Sequence, residues 1–161
     1  MRGTDLIIGI QVLLVQHKSC QGLHSEASAE KSINQDPLLC DFLDKQMKKN
    51  YNFRGDLLNL LAGLGNSCGD FDKDNLRNFI KEKGMPVLET ERIPSRAFRT
   101  LKQQYLSIIE SYKRILSFKA LPISVESIML RHLAELQGIA CFLIDHKLNI
   151  SNVNVSTLEV A

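Results

Sequence analysis

The chain has 161 residues, 44% of them hydrophobic and 24% charged. That is the size and balance of one soluble domain, and it excludes disordered, collagenous and low-complexity classes. Twenty basic against eighteen acidic residues leave a net charge of +2, without the concentrated basic face that a dedicated nucleic-acid binder needs. The absence of Trp, with 6% aromatics, 9 Gly and 4 Pro, argues against a β-sandwich or barrel and for helices.

The first predicted helix runs from about Thr4 to Lys31. Its seam steps by four and three residues through Leu6, Ile10 and Leu13, then turns polar at His17, Cys20 and His24. The opening stretch, MRGTDLIIGIQVLLV, has the outline of a signal peptide. However, Asp5 interrupts its basic segment and no small-x-small cleavage site follows in QHKSCQG. Its apolar run is also too short to span a bilayer. Asp36 caps the second helix and Pro37 takes its first position. The seam there is Leu39, Leu43, Gln46, Asn50, Phe53, Leu57 and Leu60, with Gly63 and Gly65 as stop signals.

A longer connection, 66–94, contains a short helix in DKDNLRNFIKEKG, capped by Asp72 and ended by Gly84; Pro86 and Pro94 then keep the chain extended. The third long helix starts near Ser95 and carries Phe98, Leu101, Tyr105, Ile108, Tyr112 and Ile115 inward. After the turn LPIS, a fourth presents Ile128, Met129, Leu133, Leu136, Ala140, Leu143 and Leu148. Short linkers within each pair force antiparallel neighbours. The expected fold is therefore all-α: an antiparallel four-helix bundle over 1–148, made of two hairpins joined by a long crossover. Residues 149–161, polar and β-prone, read as a flexible tail.

Cys20, Cys40, Cys68 and Cys141 show no C-x-x-C spacing and are expected to be reduced thiols of a cytoplasmic protein. Folding the first two helices about residues 33–35 sets Cys20 level with residue 49, which places His17, Cys20 and His24 in one layer with Gln46 and Asn50. Folding the last two about residue 120 adds Tyr105 and Glu135, with His132 close to the inner face. Imidazole and thiolate in the spacing H-x-x-C-x-x-x-H suit zinc, copper or ferrous iron, so His17, Cys20, His24 and Glu135 form the candidate metal set. The preferred alternative is a hydrogen-bonded interior in which Gln46, Asn50 and Tyr105 satisfy the imidazoles. No second helix offers a facing pair of carboxylates, so no cofactor is expected, and iron or zinc is the alternative. Asp70, Asp72 and Asp74 alternate as in an EF-hand, but Asn75 and Lys81 stand where Gly and Glu are required. No P-loop, dinucleotide fingerprint or nucleophile elbow occurs.

Nearly the whole chain resembles a family of small bacterial ferritin-like proteins of unknown function, some linked to stress responses. The resemblance rests on Gly22-Leu23 and Glu26-Ala27 in the first helix, and on Asp36, Pro37 and Leu39 at the start of the second. Phe53, Asp56 and Leu57 match further along it, and Tyr112, Leu116, Leu121-Pro122, Arg131, Leu133 and Glu135 match in the last hairpin. It implies a ferritin-like bundle, in which a di-iron site needs inward carboxylates. Cys20 and Tyr105 stand where the family's first- and third-helix carboxylates fall, Ala140 where its fourth-helix His falls, and Gln46 and Lys49 where an acid and its partner are wanted; only Glu135 is acidic. The resemblance thus implies a degenerate metal site and a non-enzymatic bundle, stress-related in role. The expected interactions are self-association or an unidentified protein partner, with neither nucleic acid nor membrane.

Overall fold

A computed structural model describes residues 3–29, 36–65, 73–85 and 97–160. Among the described residues there are five helices and no strand, so the protein is all-α. The helices are α1 (Gly3–Ser28), α2 (Pro37–Gly63), α3 (Lys73–Lys83), α4 (Ala97–Leu116) and α5 (Ile123–Val160). Local chemistry sets their ends. The Asp36 side chain accepts a hydrogen bond from Leu39 N at 3.1 Å, and Pro37 occupies a first-turn position whose N–H would have no helical partner. Gly65 and Gly84 close α2 and α3 at φ +80° and +62°, where a Cβ would crowd the backbone. Ala120 adopts φ 60° in the turn between α4 and α5 despite having a Cβ.

α1 packs against α2, α3 and α4, and α5 packs against α2 and α4. His17 meets Tyr112, while His24, seven residues on, meets Tyr105, seven residues back; α1 and α4 are therefore antiparallel. The stacked rings of Phe42 and Phe142, centroids 3.7 Å apart, and the Asp56–His132 contact set α2 against α5 in the same sense. Leu6, Ile10 and Leu13 of α1 are buried with Leu39, Leu43 and Leu57 of α2, Leu101, Ile108 and Ile115 of α4, and Met129, Leu136 and Leu143 of α5. The apolar start of the chain is thus a core helix. α3 covers one end of this core, with Phe79 edge-on to Phe118.

Two sequence expectations differ in detail. α5 continues through 149–160, the segment read as a tail; no Gly or Pro falls within 149–160, and a helix already under way adds hydrogen bonds at little entropic cost. Leu133 is only half-buried. Cys68, Asp70, Asp72, Pro86, Pro94 and Ser95 lie outside the described residues. The stretch Ile123–Asp145 has the length and apolarity to cross a membrane, a property that bundle helices share.

Two positions test the packing. A Cβ on Gly9 would lie 3.2 Å from Ile115 Cγ1 and 3.3 Å from its Cδ1, so Gly9→Val is expected to destabilise by roughly 1–3 kcal/mol through overpacking. Ala120→Gly relieves a left-handed Cβ and is expected to stabilise by about 1 kcal/mol, partly offset by unfolded-chain entropy. Urea denaturation of both variants measures the two opposite signs.

Candidate functional site

The layer of polar residues inferred from the seams is the interior of the protein. His17, Cys20, His24, Gln46, Asn50, Tyr105 and His132 are each no more than 4% exposed. Periodicity brings them inward on four helices, and the antiparallel packing brings them level. Glu135, one turn beyond His132, is exposed and takes no place among them.

Five side chains form one continuous hydrogen-bonded line through all four long helices. Asn50 of α2 donates its amide Nδ2–H to the His17 carbonyl oxygen at 2.8 Å, and its Oδ1 lies 3.0 Å from His17 Nδ1. His17 Nε2 meets the Tyr112 hydroxyl of α4 at 2.9 Å, and the same hydroxyl lies 2.8 Å from His132 Nδ1 on α5. His132 Nε2 then reaches Asp56 Oδ2 of α2 at 2.8 Å, and Arg131 donates to that oxygen at 2.7 Å. The line starts in the core and ends at the surface, where the Asp56 side chain is 35% exposed. Phe53 packs against both imidazoles, with ring centroids 5.2 Å from His17 and 4.7 Å from His132. A second, shorter link joins His24 Nε2 to the Tyr105 hydroxyl at 2.6 Å.

Burial governs the charge of these groups. It is the main reason that His17 is held down to about 3, with the nearby charges of His132 and Arg54 adding to it and the Asn50 bond opposing it. Burial alone holds His24 down to about 4. Burial also lowers His132, against the hydrogen bond and charge of Asp56. The same loss of water pushes up the hydroxyls of Tyr105 and Tyr112 and the Cys20 thiol, so Cys20 is a protonated, unreactive thiol. Partial burial raises Asp56, but the bonds and charges of His132 and Arg131 outweigh it and hold the carboxylate below its ordinary range.

The sequence-derived metal set is not assembled as one site. Both ring nitrogens of His17 are already engaged, Glu135 is exposed, and no three His, Cys, Asp or Glu side chains form a metal-holding group among the described residues. The positions that the resemblance assigns to di-iron ligands hold buried Cys20, Gln46, Tyr105 and Ala140 and exposed Lys49 and Glu135. This donor set does not fit hard ferric ions. Of the three groups expected to satisfy the imidazoles, Asn50 and Tyr105 do so. Gln46 Oε1 is buried without a hydrogen bond, as is His24 Nδ1.

Sequence reasoning missed Tyr112 and Asp56 as members of the layer. The available signal was the level-matching rule itself, since folding about residue 122 instead of 120 places Tyr112 opposite His132. Comparison with protein-family models, curated proteins and solved structures gives no match.

Removing the Tyr112 hydroxyl strips His17 Nε2 and His132 Nδ1 of their shared partner. Tyr112→Phe is therefore expected to cost roughly 2–4 kcal/mol, and Tyr105→Phe, which breaks one link, roughly 1–2 kcal/mol. Urea denaturation of the two variants would give equal losses if the shared hydroxyl had no special place.

A second expectation concerns pH. His17 and His24 bind protons more weakly in the native state, at about 3 and about 4, than the unfolded-chain value of 6.5. Their contribution is fully present above that value and is lost as pH falls toward the native ones. Between about pH 7.5 and 5.5 the loss is roughly 1.4 kcal/mol per histidine, before most carboxylates titrate. Equilibrium unfolding across that range should show the decline, and a flat profile would show that the two imidazoles are not held neutral.

Proposed function

We propose that the chain is a non-catalytic, ferritin-like helical bundle: two hairpins joined by a crossover over 66–94, acting through its surface as a structural or interaction protein. The observation that carries this reading is the engagement of the buried imidazoles with neighbouring side chains. His17 is held between Asn50 and Tyr112, and His132 between Tyr112 and Asp56, and the Cys20 thiol is held protonated by burial. Packing of α1 with α2 and α4, and of α5 with α4 and α2, supports the bundle arrangement. A stress-related role belongs to the same proposal and rests on the sequence resemblance alone.

Location in the cytoplasm is supported by Cys20, Cys40 and Cys141, none of which is in a disulfide, and by the use of the apolar N-terminal run as a core helix. Insertion of Ile123–Asp145 into a membrane would carry Arg131, His132 and Glu135 into hydrocarbon, whereas His132 and Arg131 are tied to Asp56 of α2. An interaction role, including self-association, draws support from α5. Ile123, Leu130 and Ile144 are 85%, 51% and 37% exposed, and their spacing in sevens places them on one face.

Metal analysis of untagged protein tests the reading. The expected result is a substoichiometric content of iron and zinc and a melting temperature indifferent to added iron, zinc or manganese. Stoichiometric iron or zinc that disappears on replacing His17 and Cys20 would overturn it in favour of a metal-binding bundle built on His17, Cys20, His24 and Glu135.

A further inference from the structure

The line of hydrogen bonds from Asn50 to Asp56 has a proton count that does not balance. Asn50 Nδ2 donates to the His17 carbonyl oxygen, so Oδ1 is the atom that faces His17 Nδ1. Turning the amide over would set two acceptor oxygens 2.8 Å apart. His17 Nδ1 must therefore carry a hydrogen, which leaves Nε2 as an acceptor in the neutral ring. Tyr112 gives its single proton to that nitrogen, and its oxygen can then only accept, from His132 Nδ1–H. A neutral His132 is left with a bare lone pair on Nε2, 2.8 Å from the carboxylate oxygen of Asp56. Four links run between two terminal acceptors, and neutral His17, Tyr112 and His132 supply three protons. Reversing Tyr112 only moves the mismatch inward, to the fully buried His17–Tyr112 contact.

We propose that this line is a proton-binding site of capacity one: it takes up a single proton from solvent at its surface end, between His132 Nε2 and Asp56 Oδ2, and the fourth hydrogen bond then closes. The proton adds to the Nε2 lone pair and forms an imidazolium that donates to an ionised Asp56. Arg131 on the same oxygen keeps the carboxylate charged, which places the proton on nitrogen. The groups acting on His132 are Asp56 from α2, Tyr112 from α4, His17 from α1, and Arg131 and Glu135 on its own helix; Arg54 of α2 acts on His17. Only Asp56 and Glu135 bring negative charge. Deep burial and the charge of Arg54 keep the proton off His17. The bond that closes ties α5 to α2, so filling the site couples solution pH to the joint between those helices. The proposal rests on the hydrogen-bonded line from Asn50 to Asp56 and not on the bundle's wider role.

Imidazole 15N–1H correlation spectra of the full chain, recorded from about pH 8 to about pH 5, test it. The expected spectra show His132 passing from one protonated nitrogen to two, while His17 stays in the neutral Nδ1–H form throughout. In Asp56→Asn the amide can donate to His132 Nε2, all four links close without an added proton, and the His132 titration should be lost with the fold retained. A His132 that stays singly protonated to the acid end, a proton that appears on His17, or a titration unchanged in Asp56→Asn would overturn the proposal. If that variant fails to fold, the wild-type spectra decide alone.

Discussion

The hydroxyl of Tyr112 is the point on which the interior turns. It lies within 2.9 Å of two imidazoles, one on α1 and one on α5, while its own ring belongs to α4. Through His17 it reaches Asn50, and through His132 it reaches Asp56, both on α2. Apolar contacts at the two ends of the bundle tolerate sliding and substitution among similar shapes. The polar line does not, because a slip of one helical turn, about 5.4 Å, would break its bonds together and leave buried donors and acceptors unmet. Hydrophobic burial supplies most of the driving force for assembly, and the line selects one register.

The two histidine links differ in a way that follows from their surroundings. His24 and Tyr105 form an isolated pair, deep in the protein and with no charged side chain bonded to them. The His17–Tyr112–His132 line instead opens at one end onto Asp56 and Arg131, which solvent can reach. The same residue types thus make an inert buried bond at one level of the bundle and a solvent-connected one two turns away. Burial sets the protonation of the first, and the surface carboxylate governs the second.

Much of this was legible in the chain. The start of α2 could be read from Asp36 and Pro37, its end from Gly65, and the end of α3 from Gly84, because capping and left-handed turns demand particular residue types. The seams placed His17, Cys20, His24, Gln46, Asn50 and Tyr105 inward correctly, since a period of 3.6 residues resolves a buried face. What periodicity could not resolve was the edge of that face. His132 and Glu135 sit three residues apart on α5, yet one is wholly buried and the other exposed. Nor could it fix the axial offset between α4 and α5. Their turn runs through residues 117–122, centred near residue 120, yet the two helices are staggered so that Tyr112, and not residue 108, lies opposite His132. The metal set read from H-x-x-C-x-x-x-H failed to assemble for a related reason. Shared residue types on one helix say nothing about what neighbouring helices present to them.

The placement of the line along the chain has a consequence for synthesis. Asn50 and His17 lie in the first third, whereas Tyr112 and His132 come from the last. During N-to-C elongation α1 and α2 emerge first and can pair through their apolar seams and the His17–Asn50 contact. His17 Nε2 then has no tyrosine to accept from until α4 leaves the ribosome. Until then the partner that this nitrogen has in the folded protein does not exist. The polar line therefore cannot be completed until both ends of the described chain have been made, and the last-made helices supply the groups that finish an interior begun by the first.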